Sequence, residues 1–209
     1  MSTSLWERTA TDSDFLQVRM GAGYAPLCVE VKPPTDVNDF HMERDELEEL
    51  TDRIIQETHL VDDVPARLDL LKYSSVGVIG NRRKVTDLLK NLLVSLSTLH
   101  FFRDVRIVGV FDPEEEEEWK SMRWLPHIWD ESGQVRYIAF DEERRHTVSE
   151  FLADLIRRRK SNSRTETGKK IENPLPHYVI VAENEDILFE ENIYDDLVSN
   201  DPSLGITTI

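Results

Sequence analysis

The residues with the clearest potential for chemistry lie where a short apolar run is followed by three cations. The run covers residues 75–80 and ends in Gly80, and Arg82, Arg83 and Lys84 follow closely. The run predicts a buried strand, and the periodicity after it predicts a helix. A glycine between a strand and a helix N-terminus forms an anion site, because free N–H groups and the helix dipole point to one place. The segment therefore indicates phosphate binding.

The same segment departs from a working P-loop at two positions. In the pattern G-x-x-x-x-G-K-[ST], the second glycine lets the backbone approach the phosphates and the lysine contacts them. Counted from Gly80, Val85 takes the place of that glycine and Thr86 the place of the lysine. A branched valine hinders the close approach. Two interpretations stay open: a degenerate nucleotide site that relies on the cations, and a structural turn that opens a core helix.

A second chemical signal follows a later apolar run. Residues 178–181 predict a buried strand, and Ala182 and Glu183 come after it. A Walker B strand ends in an acid that serves Mg²⁺, often with a catalytic glutamate beside it. Ala182 stands in place of that acid, whereas Glu183 stands at the glutamate position. The candidate nucleotide site predicted from the sequence consists of Gly80, Asn81, Arg82, Arg83, Lys84 and Glu183.

No catalytic residue and no metal ligand is predicted. The six histidines show no metal-ligand spacing, and the single cysteine, Cys28, excludes an intramolecular disulfide. The five acids at 114–118 lack the alternating ligands of a calcium loop and are interpreted as a solvated helix face. The four tryptophans exceed what a small core needs, and large aromatic side chains are common at interfaces. We expect an interface role for Trp119, Trp124 and Trp129.

Strands and helices alternate along most of the chain. Strands are predicted at 75–80, 105–111, 137–140 and 178–181, and helices at 43–59, at 84–99 and from a capping box at 147–150. Strand, helix and strand in this order imply parallel pairing with right-handed crossovers. The expected fold class is therefore α/β, a mainly parallel sheet with helices on both faces in a three-layer sandwich.

An N-terminal β-hairpin is the predicted attachment to this sandwich. Two alternating stretches within residues 14–34 flank the glycines of 21–23, and two prolines close the second stretch. The predicted domains are 1–66, with the hairpin and a helix, and 67–209, with the α/β fold. The last residues have strand composition without a closing signal, so we expect the second domain to be truncated at its C-terminus.

Composition limits the class of partner. The chain has 209 residues, with 25 basic and 41 acidic side chains and a net charge of −16. This charge argues against nucleic acid or an anionic membrane surface as the main partner, since both need a positive face. No run approaches the roughly 18 apolar residues of a membrane span, and no signal peptide is evident. We expect a soluble chain that can still be one piece of a larger membrane protein.

Several stretches resemble one protein family. They are Leu5-Trp6-Glu7-Arg8, Asp14-Phe15-Leu16-Gln17-Val18-Arg19-Met20-Gly21-Ala22-Gly23 and Trp124-Leu125-Pro126-His127. They are similar to the segment that follows the transmembrane helices in the FtsK/SpoIIIE-type ATPases of type VII secretion, the EssC/EccC family. The run at 76–80 and the leucine-rich helix after it are also similar to that family. The likeness covers nearly all of the chain.

The resemblance implies a cytosolic domain between a membrane anchor and the ATPase domains of a secretion motor. In this family that domain resembles a P-loop ATPase fold with degenerate motifs, in agreement with Val85, Thr86 and Ala182. The parent would be a membrane-anchored ATPase that exports small WXG-type proteins from Gram-positive bacteria. The implied partners are the adjacent ATPase domains, other membrane components of the secretion machine and the exported proteins. The implied location is the cytoplasmic side of the cell membrane.

Three functions stay open. The first is a structural and regulatory module, inactive by itself and without a cofactor, which joins the membrane anchor to the motor; the missing Walker residues favour it. The second is an atypical nucleotide-binding domain, a weak ATPase that would take Mg·ATP at Arg82, Arg83, Lys84 and Glu183. The third is a recognition module for exported proteins, which exposed aromatic side chains would support.

Overall fold

The structure, a computed structural model, describes residues 5–29, 50, 52–55, 60–162, 174–190 and 193–209. Its strands are β1 (Gln17–Pro26), β2 (Leu60–Asp69), β3 (Val105–Val110), β4 (Ile138–Ala139), β5 (His177–Ala182) and β6 (Ile206–Thr208). Its α-helices after residue 60 are α1 (Arg82–Leu99), α2 (Glu116–Trp119), α3 (Glu142–Asn162), α4 (Glu185–Glu190) and α5 (Tyr194–Val198). Short 3₁₀ helices cover Leu70–Lys72, Pro113–Glu115, Lys120–Trp124, Pro126–Ile128 and Pro202–Leu204.

The central sheet is parallel and confirms the predicted α/β class. Its strand order is β4-β3-β5-β6, and each neighbouring pair is parallel. β3 and β5 are in register from Val105↔His177 to Val110↔Ala182. Every residue of β3 is buried, which explains why its sequence is nearly all apolar rather than alternating.

Both faces of the sheet are covered. On one face, Val108 and Ile180 belong to a core that includes buried side chains of α3, α4 and α5. On the other face, Ile107 and Val179 are fully buried as well. The buried stripe of α1 consists of Leu89, Leu92, Leu93 and Leu96. These four positions have the spacing of one helix face, as the sequence predicted.

A two-stranded sheet of β1 and β2 stands in place of the hairpin predicted within 14–34. β1 continues through the glycines of 21–23 instead of turning there. An added Cβ at Gly21 or Gly23 would meet no atom within 4 Å, and neither residue has a positive φ. The glycines are therefore ordinary extended backbone. The attachment has two strands, but the predicted position of its turn is wrong.

The chain divides into two compact units, one of Met1–Val18 with Asp69–Ile209 and one of Arg19–Leu68. The larger unit holds the parallel sheet and the candidate site. The smaller unit holds most of β1 and β2. Of the helix predicted at 43–59, residues 50 and 52–55 are helical, and the rest lies outside the described residues. The domain limits of 1–66 and 67–209 stay a prediction.

Residues 75–80 do not form the predicted buried strand. Ser75 makes one isolated parallel bridge with Thr208, and Ile79 is 100% exposed. The neighbouring strand β6 is only three residues long, so it offers a partner for a single bridge and the segment then leaves the sheet. An apolar run indicates that a segment has the composition of a strand, but it does not show that a neighbouring strand is long enough to pair with it.

Helix α3 begins before the capping box predicted at 147–150. Asp141 acts as the N-cap, because its Oδ1 accepts a hydrogen bond from the backbone N–H of Arg144 at 2.8 Å. The hydroxyl of Thr147 instead donates to the carbonyl of Glu143 at 2.9 Å, inside the helix. The predicted start is therefore wrong, since a polar residue can satisfy a local bond within a helix as well as at its end.

Candidate functional site

The candidate site lies at the carboxyl-terminal edge of the sheet, where β5 ends and α1 begins. Arg82 is the first residue of α1, and Glu183 directly follows β5. In open parallel sheets, ligands bind outside the carboxyl ends of the strands. The structure brings these two predicted residues into contact, although 101 positions separate them in the sequence.

Two carboxylates hold Arg82 in place. Its Nη2 donates to Oε1 of Glu115 at 2.6 Å and also to Oε1 of Glu183. The Arg82 side chain is 70% exposed, whereas those of Glu115 and Glu183 are 20% and 16% exposed. The guanidinium therefore closes over two largely buried carboxylates. These three residues are named the Arg82 bridge below.

The Arg82 bridge has two carboxylates for one cation. Attraction to Glu183, and then to Glu115, raises the pKa of Arg82. Burial, followed by repulsion from Glu115, raises the pKa of Glu183, and Arg82 opposes this. Oε2 of Glu183 is buried and has no hydrogen-bond partner among the residues that the structure describes. Arg82 thus favours the charged form of Glu183 against the effects of burial and of Glu115.

The rest of the predicted phosphate loop stays open to solvent. Its exposed residues are Gly80, Asn81, Arg83 and Lys84. The Asn81 side chain does not cap α1. A Cβ added at Gly80 would lie 3.4 Å from Cγ2 of Val85, so the valine already bounds the space beside the glycine. The hydroxyl of Thr86 donates to the carbonyl of Arg82 at 3.0 Å and is therefore used within the helix.

The acidic run at 114–118 is more than a solvated face. Glu118 pairs with Lys90, Glu117 with Lys120 and Glu116 with Arg123. Arg82 and Lys90 both belong to α1, so the acids connect that helix to the segment after β3. Sequence reasoning missed Glu115. The position of Glu115 just after β3 could have indicated it, because parallel neighbours such as β3 and β5 end at the same edge of the sheet.

The three tryptophans predicted at an interface differ in exposure. Trp119 is 2% exposed and stacks on Phe111 with ring centroids 4.5 Å apart, so its ring belongs to the core and is not accessible to a partner. Trp124 is 82% exposed. Trp129 is partly buried and lies under the guanidinium of Arg136, 4.3 Å from the ring centroid. An interface role stays a prediction for Trp124 and Trp129.

Trp124 and Trp129 line a groove at the opposite edge of the sheet, near the starts of β3 and β5. The groove has a volume of about 940 Å³ and is also lined by Phe102, Arg106 and Pro176. Arg106 is 4% exposed, and its Nη1 donates to the carbonyl of Trp129 at 2.5 Å. This aromatic groove therefore has a fixed cation in its wall.

The described part of the chain offers neither a metal centre nor a membrane span. Within the ranges given above, no three His, Cys, Asp or Glu side chains are arranged to hold a metal ion. No helix there combines the length and the apolar composition that crossing a bilayer requires. The Arg82 bridge and the aromatic groove remain the two places where the predicted functional residues come together.

Comparison with known proteins identifies relatives, although no protein-family profile matches the chain. The ESX secretion system protein EccC of Geobacillus thermodenitrificans is 27% identical over 210 residues, which cover 100% of this chain and 14% of that protein. The type VII secretion system protein EssC of Staphylococcus aureus is 26% identical over 155 residues, 74% of this chain and 10% of that protein. The chain thus spans about one seventh or less of these relatives.

Among solved structures, the chain is similar to the cytoplasmic domain of the type VII secretion ATPase EccC from Thermomonospora curvata. The identity is 22%, the match covers 69% of this chain and 18% of that one, and the TM-score is 0.49. The sequence relationship is the stronger finding, because it extends over the whole chain. The chain is homologous to the EccC/EssC family of type VII secretion proteins.

Proposed function

We propose that the chain is a non-catalytic, ATPase-like module of a type VII secretion motor. In this role it links the membrane anchor to the ATPase domains on the cytoplasmic side of the membrane. It contacts other secretion components and takes part, through them, in the export of small WXG-type proteins. The homology to EccC and EssC supports a role in the motor, and the altered phosphate loop supports a role without catalysis.

The observation that carries the proposal is the Arg82 bridge. Nη2 of Arg82 already donates to both Glu115 and Glu183, so a phosphate at the remaining donors of the guanidinium would lie beside two carboxylates. These two carboxylates would repel the polyphosphate at close range. The charged residues at the nucleotide position thus pair with one another.

The attachment of the N-terminal residues to α1 supports a linking role. The indole N–H of Trp6 donates to the carbonyl of Ser97 at 3.0 Å. The backbone N–H groups of Trp6 and Arg8 donate to the carbonyls of Thr98 and Leu99 at 2.8 and 3.0 Å. These bonds occupy carbonyls that a helix C-terminus leaves free. The helix that starts with Arg82 is therefore fastened at its other end to the segment around Trp6.

Calorimetric titration with Mg·ATP tests the proposal. We expect no heat of binding and no change in Tm at millimolar Mg·ATP. Ligand at ten times its Kd would stabilise the chain by about 1.4 kcal/mol and raise Tm by about 3–6 °C, so binding would be visible. Saturable binding that Arg82→Ala or Lys84→Ala abolishes would favour the atypical nucleotide-binding domain. Hydrolysis lost in Glu183→Gln would overturn the non-catalytic role.

A second candidate function is the recognition of exported proteins, and the 82% exposure of Trp124 favours it. A tryptophan ring is a frequent binding anchor, because it buries a large area with little loss of side-chain entropy. The test is a pull-down of candidate exported proteins by the chain and by Trp124→Ala. Capture by both, or by neither, would contradict recognition through this groove. Val94→Ala is the matched control, since Val94 is also exposed, at 57%.

A further inference from the structure

Two arginine side chains in the wall of the aromatic groove lack an anionic partner. Arg103 is exposed and Arg106 is 4% exposed, and both line the groove. Neither forms an ion pair with any carboxylate that the structure describes. Buried charges in proteins are normally paired, and acidic side chains outnumber basic ones in this chain by 41 to 25. The groove therefore carries positive charge without a paired carboxylate.

The guanidinium of Arg106 has donors left for a ligand. Its Nη1 donates to the carbonyls of Trp129 and Pro126 at 2.5 and 3.4 Å. Its Nε and Nη2 donate to no described residue, and neither is among the buried atoms that lack a partner, so both remain accessible. Nε and Nη2 lie on one side of the guanidinium and can bind the two oxygens of one carboxylate. Arg106 therefore offers a site for a carboxylate.

The hairpin that holds this guanidinium is itself well fixed. Trp129 and Arg136 face each other in an antiparallel bridge, and the Arg136 guanidinium lies 4.3 Å from the centroid of the Trp129 ring. Oδ1 of Asp130 accepts the backbone N–H groups of Gln134 and Val135 at 2.8 and 3.0 Å, which closes the turn between them. Because the wall is formed before binding, little entropy is lost when a ligand arrives.

The other residues of the groove limit which anion can bind. Trp124 is 82% exposed, so its ring offers a large apolar area. Asp130 and Glu131 also line the groove, and they repel further negative charge. These acids disfavour a nucleotide or an anionic membrane surface, since each carries several negative charges. A peptide with one carboxylate beside a large apolar side chain fits both the arginines and the tryptophan.

We propose that the aromatic groove binds a carboxylate-bearing peptide segment of a partner protein. The carboxylate accepts hydrogen bonds from Nε and Nη2 of Arg106, and the exposed Arg103 adds a second positive charge beside it. A neighbouring apolar side chain of the segment covers the ring of Trp124. Arginine and tryptophan are the residues that most often dominate the energy of an interface. The partner is thus recognised by an acidic and an apolar residue close together in its sequence.

This inference deepens the second candidate function and rests on it only in treating the aromatic groove as a recognition surface. It does not depend on the absence of catalysis or on the identity of the partner. The experiment below uses peptides without nucleotide, so it can fail while the chain remains a non-catalytic module of the motor. The pull-down of exported proteins can likewise fail while a carboxylate-bearing peptide still binds.

Selection from a library of random peptides displayed on phage tests the groove. We expect the selected peptides to be enriched in Asp or Glu next to Trp, Phe or Leu. One of them is then synthesised with capped ends, so that only a side chain supplies the carboxylate, and its affinity is measured by calorimetry. Replacing its Asp by Asn, or its Glu by Gln, should weaken binding by about 10- to 100-fold, the effect of losing a charged hydrogen-bond partner.

Arg103→Glu provides the second arm. Arg103 is exposed, so the variant should fold, and we expect its selected peptides to carry Lys or Arg in place of the acid. Arg106→Gln should lose binding of the original peptide, but Arg103→Glu decides even if that variant does not fold. Arg157→Glu, at a side chain 76% exposed on α3, is the matched control and should select the same peptides as the unmodified chain.

Four results would overturn the proposal. They are a selection without peptides or without enrichment in acids, equal affinity for the neutral copy of the peptide, and the same preference for acids in Arg103→Glu. The fourth is self-association of the unmodified chain that Arg103→Glu abolishes, because the occupant of the groove would then be a second copy. Displacement of the peptide by an equal concentration of inorganic phosphate would reduce the groove to a general anion site and contradict peptide recognition as well.

Discussion

His100 and His177 should control the acid stability of the larger unit. His100 is fully buried, and its Nε2 accepts a hydrogen bond from the backbone N–H of Leu16 at 3.0 Å. The ring proton is therefore on Nδ1, 3.2 Å from the carbonyl of Leu96. His177 is 1% exposed, and its Nε2 lies 3.0 Å from Oγ1 of Thr207. Burial lowers the pKa of His100 to about 4 and that of His177 to about 3.

We expect the free energy of unfolding to fall as the pH falls below about 6.5, the pKa of histidine in an unfolded chain. In the folded state both rings stay neutral until the pH reaches about 4 for His100 and about 3 for His177. The unfolded chain therefore binds more protons between these limits, and acid favours unfolding. At about pH 5, each histidine lowers the free energy of unfolding by about 2 kcal/mol. The two together remove about 4 kcal/mol from a total that is typically about 5–15 kcal/mol.

Urea unfolding between about pH 7 and pH 5 measures this loss. In His100→Gln, the side-chain carbonyl can still accept the N–H of Leu16, but the ring that titrates is absent. We expect the loss of unfolding free energy across this interval to shrink by about 2 kcal/mol in the variant. Glu183 has the opposite effect, because its pKa is raised in the folded state. It is present in both proteins, so its contribution cancels in the comparison.

His146→Gln is the matched control. The His146 side chain is 68% exposed, near Glu150. We therefore expect the free energy of unfolding of this variant to depend on pH as in the unmodified chain. An unfolding free energy that stays flat from about pH 7 to pH 5 would refute the reasoning. So would a His100→Gln variant with the full pH dependence, because the buried ring would then not be a source of the linkage.

Two further predictions concern Gly205 and Arg159, which meet where helix α3 contacts the turn before β6. Gly205→Ala should lower the free energy of unfolding by about 2–4 kcal/mol, since Gly205 has a φ of +70° and a Cβ would lie 2.7 Å from the carbonyl oxygen of Pro174. Gly133→Ala, with the same φ but open space, should lose only about 1 kcal/mol; equal losses in urea unfolding would contradict the steric argument. Arg159→Leu should lose about 3–5 kcal/mol, because Arg159 is buried and donates to three backbone carbonyls at 2.6–2.8 Å. Arg157→Leu, at a side chain 76% exposed, should stay within about 0.5 kcal/mol; a similar Tm for both variants would contradict the role of Arg159.

The central elements could be predicted from the sequence because burial on both sides leaves a strong pattern. β3 and β5 appear as continuous apolar runs, and α1 appears as leucines at helical spacing, since each packs along its whole length. The parallel orientation of the strands also follows from the alternation of strands and helices along the chain, although that order does not predict that β3 pairs with β5. Each of these patterns arises from the burial of one segment, so the composition of that segment alone is enough to predict it.

Contacts between distant segments leave no such pattern in the composition of either segment. The run at 75–80 has strand composition, but β6 is too short to pair with it. The capping box at 147–150 has suitable residues, but Asp141 caps α3 earlier. The glycines of 21–23 suggest a turn, but β1 finds its partner in β2. In each case the local pattern permits two structures, and a residue elsewhere in the chain decides between them.

The Arg82 bridge could be predicted only in part, for the same reason. The sequence indicated Arg82 and Glu183 separately, through a phosphate loop and a Walker B strand. Their contact depends on the register of β3 and β5, in which Val110 pairs with Ala182 and Glu115 is thereby carried to the same edge. Nη2 of Arg82 is shared by both carboxylates, so an anion that draws the guanidinium away from them would release Glu115. Such binding would loosen the segment after β3 from α1, which makes occupancy of this site and the position of that segment mutually dependent.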